Sequence, residues 1–295
     1  MRLLFPLILL APLVFSSCAG KPFPTGIFDR EDVFKVWALA DTQPIHLSHR
    51  RVFENAVDDM NRNTRNVHMA LVAGDIADRP SEEVFDWYLA ARSKSYIKSW
   101  NEIAGNHDNK PDGGALFRKK IGKFHRAVLR GNILFILISD EKETKSTFIS
   151  DKTFEWWRET VENNRDKIIV TVTHAPLEGS SIALSGMEAR RIERSERFTE
   201  TLKKEKVALW LSGHLHIPHF FPRTVTKKEN LNGTVFVHIS SIRPELKGFK
   251  QPESRFLAFY CGTKKASVFS RNHQKRKWQN RHAKHLTLSK TVECP

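Results

Sequence analysis

Five separate apolar runs in this chain of 295 residues each end in a side chain of a kind that binds metal ions. Residues 33–40 (VFKVWALA) deliver Asp41, residues 67–73 lead through Gly74 to Asp75, and residues 100–104 lead through Gly105 to Asn106. Residues 168–173 run into His174, and residues 207–211 run into Ser212, Gly213, His214, Leu215 and His216. Apolar runs of this length, rich in β-branched residues, read as buried strands. Helical spacing lies between them: Val52, Ala56, Val57 and Met60 after the first run, then residues 81–95, 154–161 and 190–204. Residues 133–139, 234–240 and 255–260 read as further strands, with Asn232-Gly233 as a hairpin-type turn before the second of these. Strands alternating with helices and then closing in strands argue for an α/β body with a mixed sheet.

In such sheets ligands gather beyond the carboxyl ends of the strands, so the five polar termini converge on one site. Taken singly, an Asp after a strand serves as a turn or helix cap, and a lone His sits on the surface. Taken together and in order they form a set. The glycines ahead of Asp75, Asn106 and His214 let the backbone turn tightly enough for short side chains to reach a common centre. Three cysteines are too few for a disulfide scaffold or a zinc ribbon, which leaves His, Asp and amide oxygens to hold any ion. With 40% hydrophobic and 27% charged residues, the chain is neither collagen-like nor wholly disordered.

The blocks Asp41-Thr42-Gln43, Gly74-Asp75-Ile76-Ala77-Asp78-Arg79, Gly105-Asn106-His107-Asp108, Thr173-His174-Ala175-Pro176 and Gly213-His214-Leu215-His216 resemble the motifs of calcineurin-like metallophosphoesterases. The resemblance covers roughly residues 33–240. It implies a four-layer αββα sandwich with mixed central sheets, here expected over residues 30–270, and two divalent metal ions (Mn, Fe or Zn) at the sheets' C-terminal edge. By the family's pattern, Asp41, Gln43, Asp75 and His216 would hold the first ion, and Asp75, Asn106, His174 and His214 the second, with Asp75 bridging. A metal-bound hydroxide would then attack a phosphate mono- or diester, with His107 as general acid and Asp78 orienting it. Asp108 either supports its loop or caps the turn after it. The departure is Gln43, an amide where the pattern usually has an imidazole, and a weaker donor. His46, one short loop later, is either a substitute ligand or a plain residue of the helix start. A non-catalytic envelope protein that binds a phosphorylated ligand or nucleic acid is the competing class.

The first residues read as an address. Met1 and Arg2, an apolar stretch over residues 3–15, and then Ser16, Ser17, Cys18, Ala19 and Gly20 have the three-part layout of an export signal spanning residues 1–17. The stretch is shorter than the roughly 20 residues a spanning helix needs. Small residues before Cys18 resemble a bacterial lipobox, which implies acylation of Cys18 and a membrane-anchored lipoprotein of the envelope or periplasm; an ordinary signal peptide is the alternative. Export would leave Cys261 and Cys294, either paired or as lone thiols. The net charge of +15 favours anionic partners: a phosphate-ester substrate, nucleic acid or an acidic surface. Much of it lies in residues 271–295, expected as a basic C-terminal tail that is either a solvated end or a nucleic-acid grip of the kind a periplasmic nuclease would carry.

Overall fold

The computed structural model describes residues 23–110, 112–142, 147–243 and 251–295. The proposed leader and Cys18 lie outside the described residues. In chain order the elements are β1 (Val33–Leu39), α1 (Leu47–Asn63), β2 (Met69–Ala73), α2 (Glu82–Ser93), β3 (Trp100–Ile103), α3 (Ala115–Lys120), β4 (His125–Arg130), β5 (Ile133–Ile138) and α4 (Asp151–Glu162). Then come β6 (Ile168–Thr173), α5 (Ser195–Lys204), β7 (Leu209–Ser212), β8 (Val225–Lys228), β9 (Thr234–His238), β10 (Glu253–Tyr260), β11 (Lys265–Asn272), β12 (Lys277–Trp278) and β13 (Lys284–Thr287).

These strands form two sheets. One runs β12-β11-β10-β1-β2-β3 with β13 also paired to β11, and the other runs β4-β5-β6-β7-β9-β8. β1, β2 and β3 are parallel, as are β5, β6, β7 and β9, and antiparallel strands complete both sheets. Period-2 alternation sorts the apolar side chains into two faces. Val36, Ala38, Leu71 and Ala73 of the first sheet pack against Phe135, Leu137, Val170, Val172 and Leu211 of the second. The opposite face of the first sheet, with Trp37, Leu39 and Val72, takes Phe53, Ala56 and Met60 of α1, Phe85 and Tyr88 of α2, and Phe117 of α3. The outer face of the second takes Phe154 and Trp157 of α4 and Phe198 and Leu202 of α5. The layers are therefore α, β, β, α, as the resemblance implies. Ser81 and Ser150 start α2 and α4 by accepting from the Val84 and Thr153 backbone N–H groups.

Two expectations need correction. The helix expected over 190–204 begins only at Ser195, because Arg194 takes φ 54° and breaks the turn; residues 188–190 form a separate short 3-10 turn. A boundary at residue 270 falls inside β11, and residues 271–295 are built into the first sheet instead of trailing from it. Their anchor is a buried network. Arg271 forms a bidentate pair with Asp59 of α1 (2.6 and 2.7 Å), and His273 Nδ1 donates to the same carboxylate at 2.8 Å. His273 Nε2 accepts from Ser254 Oγ at 2.7 Å, and the Trp37 indole donates to that oxygen at 2.9 Å. Cys261 and Cys294 are joined in a disulfide.

Candidate metal centre

Four of the parallel strands that end at the same edge of the sandwich contribute to one cluster. Asp41 follows β1, Asp75 follows β2, His174 follows β6, and His214 and His216 follow β7. Asp41, Asp75, His214 and His216 all hold positive φ, between 52° and 67°, a region L-residues avoid unless the surroundings over-determine it. The glycines have a steric reason to be there. A Cβ on Gly74 would stand 2.6 Å from His174 Nδ1, and one on Gly213 would stand 2.8 Å from Asp41 Oδ2.

The ligand-type atoms fall into two groups, Asp75 with His174 and His214, and Asp41 with Asp75 and His216, each with atoms within 4.8 Å of one another. Asp75 belongs to both. His174 Nε2 lies 3.2 Å from Asp75 Oδ2, and His216 Nε2 lies 3.1 Å from Asp41 Oδ1. His174 Nδ1 donates to the Ala73 carbonyl at 2.8 Å and His214 Nε2 to the Ala189 carbonyl at 3.3 Å. Those bonds turn His174 Nε2 and His214 Nδ1 toward each other at 3.3 Å, two acceptor lone pairs that only a cation or a shared proton can reconcile. Gln43 and Asn106 are buried at the same edge, and their side-chain oxygens have no hydrogen-bond partner. Gln43 N donates to the Asp75 carbonyl at 3.1 Å, which fixes it beside the cluster. Orphaned amide oxygens next to facing imidazoles and buried carboxylates are a donor set suited to divalent transition ions.

Burial and the neighbouring charges act on these groups in opposite directions. Burial alone would raise Asp75, but the His174 imidazole beside it holds its carboxyl well below the usual range. Burial likewise opposes a charge on His174, yet Asp75, Asp41 and Asp140 push it well up. His214, buried and next to His174, is pulled down to about 4.

His107 is not among the clustered ligand atoms. Its N–H donates to Asp75 Oδ1 at 3.0 Å, and its Nδ1 lies 3.1 Å from the Asp78 carbonyl and 3.4 Å from Asp78 Oδ1. Asp108 supports the loop: its carboxylate accepts from the N–H groups of Gly105, Ile76 and Ala77 at 2.8 to 3.1 Å. His46 stands exposed at the start of α1 with its ring against His49. Two arginines complete the picture. A cavity of about 260 Å³ is lined by Asp75, His107, Arg190, His214, Leu215, His216 and Arg243. Arg190 reaches it because the helix starts late. Arg243 carried no signal in the sequence; it is placed by Ser241, whose bridge to Ala40 joins the two sheets at this edge, and it lies 3.4 Å from Asp78 Oδ1.

Comparison with known proteins bears on the fold and the family. A solved purple acid phosphatase from yellow lupin (Lupinus luteus) has a similar fold, with 14% identity and a TM-score of 0.66 over 93% of this chain. The chain spans 57% of the lupin protein's length. GAP50, described as the anchor in the inner membrane complex of Plasmodium, shares the fold at 12% identity and a TM-score of 0.61, covering 88% of this chain and 90% of that one. No curated protein matches in sequence. The family model for calcineurin-like phosphoesterases matches residues 34–218, well over half of the 295 residues and inclusive of all five motif blocks, and the chain belongs to that family.

Proposed function

We propose that the chain is an exported phosphoesterase that hydrolyses a phosphate mono- or diester at a dinuclear centre. The observation that carries this reading is Asp75, one buried carboxylate common to two groups of ligand atoms. Asp41, Gln43, Asp75 and His216 would hold one ion, and Asp75, Asn106, His174 and His214 the other; Mn, Fe and Zn all suit these donors. When bound, such a pair supplies positive charge to the phosphoryl oxygens and lowers the pKa of water. The protein's own groups do the rest. Arg190 and Arg243 line the cavity and neutralise the phosphate. His107, at its mouth, gives a proton to the departing oxygen, and Asp78 holds the imidazole in line. The Cys261–Cys294 disulfide supports export to an oxidising compartment, and acylation of Cys18 would anchor the protein to the envelope.

The competing reading, a binding protein of the same fold, draws on Gln43 and on the description of GAP50 as an anchor. Hydrolysis of p-nitrophenyl phosphate and bis-p-nitrophenyl phosphate separates the two. Protein stripped of metal and reloaded with Mn, Fe or Zn is expected to turn over one ester, Asp75→Asn to lose that turnover, and His107→Ala to retain the ions but lose about 10²-fold or more in rate. Two bound ions with no turnover of either ester would favour the binding protein.

A further inference from the structure

Large apolar side chains are exposed at seven positions among the described residues, and six of them crowd one end of the molecule. Ile45 (43% exposed) and Leu47 (71%) follow Asp41. Leu184 and Met187 lie between β6 and α5, and Phe220 and Phe221 between β7 and β8. All three segments leave the strand ends that carry the metal-ligand side chains, which puts these apolar groups at the end of the molecule that holds the site. Cations stand between them. Arg79 shares a cavity of about 400 Å³ with Ile45, Leu47 and Asp78, and Arg190 lines the catalytic cavity three residues after Met187. Neither has an ion-pair partner among the described residues. A soluble protein rarely concentrates its exposed apolar groups like this without something to cover them.

The start of the described chain leads to the same end. Phe23 stacks on Trp278 with ring centroids 3.8 Å apart, and its N–H donates to Asn280 at 2.8 Å. Trp278 pairs with Arg271, Arg271 with Ser254, and the neighbouring Arg255 with Ala38, which places Trp278 at the end of the sheet that carries Asp41. The five peptide steps from Cys18 to Phe23 span at most about 18 Å, so an acyl chain on Cys18 would hold a lipid surface near this end.

We propose that the rim docks on an anionic lipid surface and that the site acts on an amphiphilic ester with a terminal phosphate held in that surface. The substrate class rests on the phosphoesterase reading above; the docking does not. The catalytic cavity, about 260 Å³ and lined by His, Asp and Arg, fits a phosphate but not an acyl body, which would stay among the rim side chains. In the reaction a water oxygen bonds to phosphorus and the phosphorus–oxygen bond to the lipid breaks. The departing oxygen takes a proton, and the products are a lipid alcohol and inorganic phosphate.

The test uses the mature chain from residue 18 with Cys18→Ser, so that neither leader nor acyl group contributes, and phosphatidylcholine vesicles with or without phosphatidic acid. Co-sedimentation is expected only with phosphatidic acid, together with release of inorganic phosphate from it by the metal-loaded protein. Joint substitution of Leu47→Asp, Phe220→Asp and Phe221→Asp should lower vesicle binding and vesicle hydrolysis at least about tenfold while p-nitrophenyl phosphate turnover and thermal unfolding stay unchanged. Leucine at positions 220 and 221 should preserve both. Equal binding by the Asp variant, or no binding by the parent, overturns the docking. Concentration-dependent self-association abolished by the same variant, without vesicle binding, overturns it in favour of a second copy of the chain. Vesicle binding without hydrolysis, in protein that cleaves p-nitrophenyl phosphate, overturns the substrate class alone. Inactivity on both esters sinks the phosphoesterase reading and leaves the docking result standing.

Discussion

Gln43 is the residue at which this chain departs from its family's usual pattern, and its environment gives the departure physical content. An amide oxygen buried without a partner costs free energy unless something positive approaches it. If that something is the first ion, Gln43→His should tighten its binding by on the order of tenfold, since imidazole is the better donor. Calorimetric titration of the stripped protein reads this directly, and an unchanged affinity would remove Gln43 from the ligand set. The sequence made Asp41, Asp75, Asn106, His174, His214 and His216 legible because each follows an apolar run, a pattern that survives without knowledge of the fold. Arg243 was not legible. It follows a strand like many other arginines do, and only the bridge between Ala40 and Ser241 brings it to the cavity. Asp108 could be read two ways until three backbone N–H groups were seen to converge on it.

Among the elements, those with continuous apolar stretches were plain, and β6 occupies the expected residues 168–173. The strands without a reading were β4 (HRAVLR), β8 (VTKK), β11 (KASVFSRN), β12 (KW) and β13 (KHLT). All but β11 lie at sheet edges and mix basic with apolar side chains, and such strands look like solvated chain until pairing is known. Element packing also sets a pH dependence. Glu141, just past β5, accepts from His125 of β4 at 3.0 Å and from Ser150 N at the start of α4 at 2.8 Å. Burial would raise its pKa, but these bonds and one from Thr153 bring it down to about 2 from an ordinary 4.5. A carboxyl depressed on folding stabilises fully above its unfolded value and loses that contribution as pH falls through the folded one. The unfolding free energies of the parent and Glu141→Gln should therefore differ above about pH 5 and converge as pH approaches about 2. A gap that stays constant over that range would show that the charge on Glu141 contributes nothing.

At the scale of the molecule, the composition suggested a solvated basic end, whereas the structure closes residues 271–295 onto the first sheet. The two cysteines could be read as a pair or as lone thiols, and proximity in the fold decides it: their Cα atoms lie 5.5 Å apart. The bond encloses a separation of 33 residues, so Cys294→Ser should lower stability by about 3 kcal/mol in denaturant unfolding. An unaltered midpoint would mean that β13 and the buried Asp59 pair hold this segment unaided. The same segment touches both sheets. Cys261 follows β10 in the first sheet, while Glu293 accepts from Asn132 N and Thr291 from the Asn132 side chain, just before β5 in the second. This clasp lies at the end of the sandwich opposite the site. Each ion's proposed ligands come from both sheets, so the clasp and the centre tie the same two layers at opposite ends, as a hinge and a latch do. Calorimetric titration of the parent and of Cys294→Ser with Mn tests whether the two ends are coupled: a weaker affinity in the variant is the expected outcome, and equal affinities would show that the core alone holds the ligand-bearing loops in place.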